Sequence, residues 1–71
     1  MTTTQKQTDQ EIFNETGIWE GWMQFDGMTC NAAFDVGYDA GESGEAMPEN
    51  FKHAALISAW KDGKRQYAEE N

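Results

Sequence analysis

The stretch from Ala33 to Gly44 limits what this chain can fold into more than any other part of it. At helical spacing, Ala33, Gly37, Ala40, Gly41 and Gly44 fall on one narrow stripe of very small side chains. The carboxylates Asp35, Asp39 and Glu42 fall on another, at i, i+4 and i+7. A stripe without bulk lets a second helix come close, because small residues are what allow two helix backbones to approach. Each interior glycine disfavours a helix by roughly 1 kcal/mol relative to alanine. A helix here must therefore be held by packing. Gly37 and Gly41 are expected at a close helix–helix contact, with Trp60 and Gly63 on the partner helix.

Around this stretch the pattern predicts a mainly α fold, a small bundle of two or three short helices. Met1 to Thr8 has no periodic apolar pattern and reads as a disordered tail, leaving residues 9–71 as a single small domain. Asp9 or Thr8 can cap a first helix. Ile12, Phe13, Thr16, Trp19 and Met23 then recur at three- and four-residue steps, with a break at Thr16-Gly17 as one alternative. For residues 18–34 two readings compete. In one, Asp26-Gly27 ends the first helix and Thr29 caps the second. In the other, Asp26-Gly27 is the two-residue turn of a hairpin; the flanks lack the valine and threonine alternation of a strand pair, which favours the helical reading. The second helix is expected over about Thr29 to Glu42, and Pro48 fits the first turn of a third. Phe51 or Lys52, Leu56, Ala59, Trp60, Gly63 and Tyr67 form that helix's apolar stripe, with Ile57 nearby, and Asp62-Gly63 either bends or ends it.

The pattern Ala33-x-x-x-Gly37-Tyr38-x-Ala40-Gly41-x-x-Gly44, then Pro48, then Trp60-x-x-Gly63, resembles the small ribosome modulation factor family and its plasmid and phage relatives. The likeness covers residues 33–68. It implies two helices joined by a proline-containing loop, with the last helix continuing to about Glu69. It also implies association with the ribosome, with Lys52, Lys61, Lys64 and Arg65 touching RNA. Two departures stand out: those proteins are basic whereas this chain is acidic, and their cysteine before the proline is Met47 here.

The charge is large and uneven. Thirteen acids against five bases give −8 over 71 residues. Ten of the acids and only Lys6 among the bases precede Lys52. Such a surface repels nucleic acid and anionic membranes and attracts basic proteins. Direct DNA binding is not expected, because it needs a concentrated basic stripe. No apolar run approaches membrane-spanning length, no basic-then-apolar leader is seen, and a lone cysteine suits a reducing compartment, so a cytoplasmic location is expected. A chain this short buries only about 60 % of its unfolded surface. An oligomer, in the simplest case a homodimer, or a bound partner would add stability.

Catalytic chemistry finds little support in these residues. Cys30 and His53 are the only soft or imidazole ligands, so no metal site or other cofactor is expected, and neither residue has the neighbour that would activate it. Gly37-x-x-x-Gly41-x-x-Gly44 lacks the spacing of a phosphate-binding loop and has no lysine close behind it. Two features point to a binding surface instead. Asp35, Asp39 and Glu42 on one helix, with Glu11 and Glu15 on another, set carboxylates about 5–6 Å apart, a row able to imitate the phosphates of a nucleic-acid strand. A solvated face that keeps a small protein soluble is the competing explanation. Trp22 falls off the main apolar stripe and is the expected exposed anchor. Small acidic chains with exposed aromatics and no catalytic residues resemble phage-encoded inhibitors, including anti-CRISPR and anti-restriction proteins. The reading is therefore a non-enzymatic inhibitor that occupies a basic, nucleic-acid-binding site on a host protein complex, with a ribosome-associated factor as the alternative.

Overall fold

A computed structural model describes residues 8–71 and is mainly helical, in the order α1 (Asp9–Thr16), β1 (Gln24–Phe25), β2 (Met28–Thr29), α2 (Cys30–Ser43) and α3 (Ala54–Glu70). The expected tail lies outside the described residues, except for Thr8. Thr8 is not tail but the N-cap of α1: its Oγ1 accepts from the Glu11 N–H at 3.2 Å, and Glu11 Oε1 accepts from the Thr8 N–H at 3.2 Å. This reciprocal capping box satisfies two of the helix's orphan donors. At the other end Gly17 turns left-handed, φ 69°, and its N–H donates to the Phe13 carbonyl at 2.7 Å. The helix therefore stops at Thr16, the break that the sequence offered as one alternative. Trp19 and Met23 do not extend the helical stripe; they follow it in a loop, and Met23 is fully buried.

The hairpin reading of residues 18–34 holds in miniature. Two two-residue strands pair antiparallel, Gln24 opposite Thr29 and Phe25 opposite Met28. Asp26 and Gly27 between them both have positive φ, 53° and 80°. That is the backbone a tight hairpin turn with right-handed strand twist demands. Asp26-Gly27 thus does not end a helix. Strands this short need no long alternating pattern, so the missing valines and threonines did not count against them. Thr29 plays a double part, closing the ladder and capping α2, where its Oγ1 accepts from the Ala32 N–H at 3.1 Å.

α2 and α3 make the main contact of the fold. A Cβ built on Gly37 would land on the Trp60 carbonyl, 2.7 Å from its carbon, and one on Gly63 would land on the Phe34 carbonyl, 2.9 Å from its carbon. Side chains tilt toward a helix's N-terminus and carbonyls point the other way. Each glycine therefore sits about one turn beyond the carbonyl it meets, which requires the two helices to run in the same direction. Next to this contact, the rings of Tyr38 and of Tyr67, one turn beyond Gly63, meet edge-on at 5.3 Å. A Cβ on Gly41 would meet Tyr67 at 2.9 Å. The 14-residue α2 is about 21 Å long, and residues 44–53 lead back along it to start α3 beside the hairpin. Pro48 lies within this return segment, where its carbonyl accepts from the Phe51 N–H at 3.2 Å. It does not open α3 as expected. That helix begins at Ala54, because His53 caps it and Phe51 is needed in the core. α3 then continues through Asp62 and Gly63 to Glu70 without a break.

The core consists of Met23, Phe25, Cys30, Ala33, Ala40, Phe51, Ala55, Leu56, Ala59 and Trp60, and no buried residue among those described is charged. Half of these ten side chains, Cys30, Ala33, Ala40, Ala55 and Ala59, are small, as the close approach of the helices requires.

Candidate functional site

With one face of α2 locked against α3, its opposite face is turned to solvent. Asp35, Asp39 and Glu42 are all exposed on it, and no hydrogen bond or ion pair holds them among the described residues. Asn31, also exposed, lies one turn before Asp35 on the same face. Gly21 packs there: its carbonyl accepts from the Asn31 N–H at 3.0 Å, and a Cβ on it would sit 3.5 Å from the Asn31 Cβ. Gly21 precedes Trp22, which is 59% exposed. The fold thus brings the backbone next to Trp22 against the N-terminal end of the helix face that carries Asp35, Asp39 and Glu42. Ile18, 61% exposed, lies in the same loop. Like Trp22, it falls outside the stripe of Ile12, Phe13, Thr16, Trp19 and Met23.

The carboxylates of α1 stand on a separate helix. Glu11 is occupied by the capping box. Asp9 accepts from the Gln24 N–H at 2.7 Å, fastening α1 to the hairpin. Glu15 is exposed on α1, which packs on β1. Asp35, Asp39 and Glu42 form the acidic face of α2.

Of the three tryptophans, Trp60 is 6% exposed. Lys64 Nζ stands 5.3 Å from its ring centroid. Trp19 is half-buried, lying against Phe34, and its indole N–H donates to Asp62 Oδ2 at 2.9 Å. Only Trp22 presents most of its surface to solvent. Gly37, Gly41, Trp60 and Gly63, the expected packing residues, all lie at the α2–α3 contact.

A cleft of about 190 Å³ opens between the C-terminal half of α2 and the return segment. Val36, Asp39, Ala40, Glu45, Ala46 and Pro48 line it. Asp39 thus belongs both to the acidic face and to the cleft. Glu45 Oε1 accepts from Ser43 Oγ at 2.9 Å, which fixes the second carboxylate at the end of α2. Glu45 and Pro48 were not foreseen as site residues, since only the path of the return segment brings them back against Val36.

His53 and Cys30 are absorbed by the fold. His53 Nδ1 accepts from the Ala55 N–H at 3.0 Å, so Nε2 carries the ring proton and faces Gln10 Oε1 at 2.5 Å. The ring also stacks on Phe25 at 4.0 Å. Cys30 is buried, and burial, with Asp9 adding to it, pushes its thiol above the ordinary cysteine range. No group of three or more metal-ligating side chains occurs among the described residues.

The bases of α3 are partly neutralised within the helix. Arg65 reaches Asp62 at 2.9 Å and Glu69 at 3.7 Å. Near the end of α3, Tyr38 Oη donates to Glu70 Oε1 at 2.5 Å, and Gln66 donates to Glu70 Oε2 at 2.8 Å. The bond to Glu70 holds the Tyr38 phenol above its ordinary range, and the bonds from Tyr38 and Gln66 hold Glu70 below the usual carboxylate range. Among the described residues, no helix is long and apolar enough to cross a membrane. No protein-family model matches this chain, and neither a curated protein nor a solved structure matches it.

Proposed function

We propose that this protein is a non-enzymatic inhibitor that lays the solvent face of α2 on a basic, nucleic-acid-binding surface of a larger protein complex, as phage and mobile-element inhibitors such as anti-CRISPR and anti-restriction proteins do. The observation that carries this reading is the row of Asp35, Asp39 and Glu42, exposed along a helix whose back is fixed by direct backbone contact, with the exposed Trp22 next in the chain to the backbone packed at its N-terminal end. A solvated face accounts for charge anywhere on a surface. It does not account for an exposed tryptophan in the loop packed against the end of the row, where an interface has use for an aromatic anchor. A host cytoplasm is the setting this function requires.

The test is affinity for the partner complex captured from host lysate, measured for wild type and for Asp35→Lys/Asp39→Lys across a salt series. Reversal sets like charges against the partner, and disrupted charge pairs at desolvated positions cost about 2–5 kcal/mol. Wild-type binding should weaken steeply with salt, because the Debye length falls from about 10 Å at 0.1 M to about 3 Å at 1 M. Equal affinities with a flat salt dependence would refute the proposal.

The second reading, a ribosome-associated factor, is favoured by the exposed Lys52, Lys61 and Lys64 and by the proline-containing segment joining α2 to α3. Internal pairing of Arg65 weakens it. Co-sedimentation with ribosomes from the same lysate decides between the two.

A further inference from the structure

We infer that the cleft between α2 and the return segment receives one arginine side chain of the partner, an assignment that rests on the proposed basic partner and names how a single residue of it is recognised. The volume, about 190 Å³, lies below the roughly 300–1,000 Å³ of a pocket for a drug-sized molecule and suits one long side chain. Its walls are of two kinds. Val36, Ala40, Ala46 and Pro48 give an apolar lining, against which a chain of methylenes or a flat guanidinium can lie. Asp39 and Glu45 supply the polar part, one from the helix and one from the segment that returns along it.

An amphipathic cation is the occupant that satisfies both kinds of wall. An uncharged apolar side chain would offer no donor to Asp39 or to the second oxygen of Glu45. A carboxylate or phosphate would be repelled. Between the two cationic residues, arginine fits better than lysine. Its fork carries five N–H donors and can address carboxylates from two directions, whereas an ammonium is a compact and strongly hydrated point charge. Glu45 keeps Oε2 for this purpose, since the Ser43 hydroxyl is directed at Oε1. Asp39 lies within the acidic row, so an arginine seated in the cleft would extend from the face that the partner covers.

The experiment is a titration of the full chain, followed by amide resonances, with N-acetylarginine methylamide, the lysine analogue and the uncharged citrulline analogue. The arginine compound should saturate with perturbations centred on Val36, Asp39, Ala40 and Ala46, and the citrulline compound should leave them unmoved. Glu45→Gln keeps an acceptor for the Ser43 hydroxyl and lies off the acidic row. It should weaken the arginine compound roughly two- to fivefold, the range of one exposed ion pair. Asp35→Lys lies outside the cleft and should leave the same residues perturbed. Equal response to lysine or citrulline, or perturbations elsewhere on the chain, would overturn the assignment. An arginine-rich polypeptide titrated in parallel separates the two claims. If it binds, and loses affinity in Asp35→Lys/Asp39→Lys but not in Glu45→Gln, the acidic face stands and the cleft assignment falls. If it does not bind wild type, the proposed function falls with it.

Discussion

Replacing Gly37 by alanine tests the contact that positions everything else. Taken alone, α2 should gain roughly 1 kcal/mol of helix propensity from the change. The added Cβ would lie 2.7 Å from the Trp60 carbonyl carbon and 2.9 Å from its Cα, against about 3.5–4.0 Å for an unstrained carbon contact. The obstacle is helix backbone and cannot rotate away, so α2 and α3 must part by on the order of 1 Å. A gap of that size forfeits about a quarter to a half of each dispersion contact. With roughly 50 atom pairs across the interface at about 0.1–0.2 kcal/mol each, the loss is on the order of 1–5 kcal/mol. Set against the propensity gain of about 1 kcal/mol, the net expectation for Gly37→Ala is a destabilisation of up to about 4 kcal/mol, and for Gly37→Leu one of about 1–3 kcal/mol or more. Each kcal/mol lowers Tm by roughly 4–8 °C in a domain this small, read by circular dichroism melts. Gly41→Ala meets Tyr67 Cβ at 2.9 Å, an atom that the backbone of α3 holds in place, and should also destabilise, though less than Gly37→Ala, whose added Cβ lands on the backbone itself. Because Gly37 and Gly63 hold the same gap closed, Gly37→Ala/Gly63→Ala should cost at least about 0.5 kcal/mol less than the sum of the single changes. A Tm that rises for Gly37→Ala, or strict additivity of the pair, would refute the reciprocal backbone contact.

Two further outcomes are expected. The Tyr38–Glu70 bond contributes stability above the ordinary carboxylate pKa, where Glu70 is ionised, and loses it as pH falls through the lowered Glu70 value. On the alkaline side its contribution is present below the ordinary tyrosine pKa and is lost as pH rises through the raised Tyr38 value. Phenolate absorbance should therefore show Tyr38 titrating late, and Glu70→Gln should bring it earlier; no change on that substitution would refute the bond. His53→Ala removes both the cap of α3, worth about 0.5–2 kcal/mol, and a ring stack worth about 0.5–1.5 kcal/mol. His53→Asp restores only the cap. Urea unfolding should rank wild type above His53→Asp and His53→Asp above His53→Ala, and equal midpoints for wild type and His53→Ala would show the ring to be idle.

The legible part of this fold was the part written in local chemistry. Small residues at helical spacing announced the α2–α3 contact, and Thr29 and the Gly17 break marked helix ends by cap rules that depend on a few neighbouring residues. What stayed illegible depended on partners distant in the chain. Asp26-Gly27 carried the hairpin signal, but whether two residues on each side pair depends on what anchors them. That anchor is Met23 and Phe25 in the core and the bond from the Cys30 N–H to the Met23 carbonyl at 2.8 Å. His53 showed in the sequence only as a lone imidazole, and it caps α3. Its stack on Phe25 and its link to Gln10, 43 residues away, leave no trace in local spacing. Pro48 suited the start of a helix by its own geometry, yet the return path needs that residue in a turn.

The acidic face is costly to the helix that carries it. Asp35 and Asp39 at i, i+4, and Asp39 and Glu42 at i, i+3, are like-charge neighbours, each pair destabilising α2 by about 0.2–0.5 kcal/mol. Gly37 and Gly41 add roughly 1 kcal/mol each in lost propensity. Several other carboxylates repay their charge locally: Asp9 holds the hairpin, Glu11 caps α1, Asp62 receives Trp19 and Arg65, and Glu70 receives Tyr38 and Gln66. Asp35, Asp39 and Glu42 make no such bond among the described residues. The glycines bring the backbones together, and the contact they create holds straight a helix whose outer face repels itself. Cations brought against that face would relieve the repulsion without any rearrangement of α2. On the proposed reading, binding a basic partner therefore raises the stability of α2, and the self-repulsion of the free protein becomes part of the free energy of association.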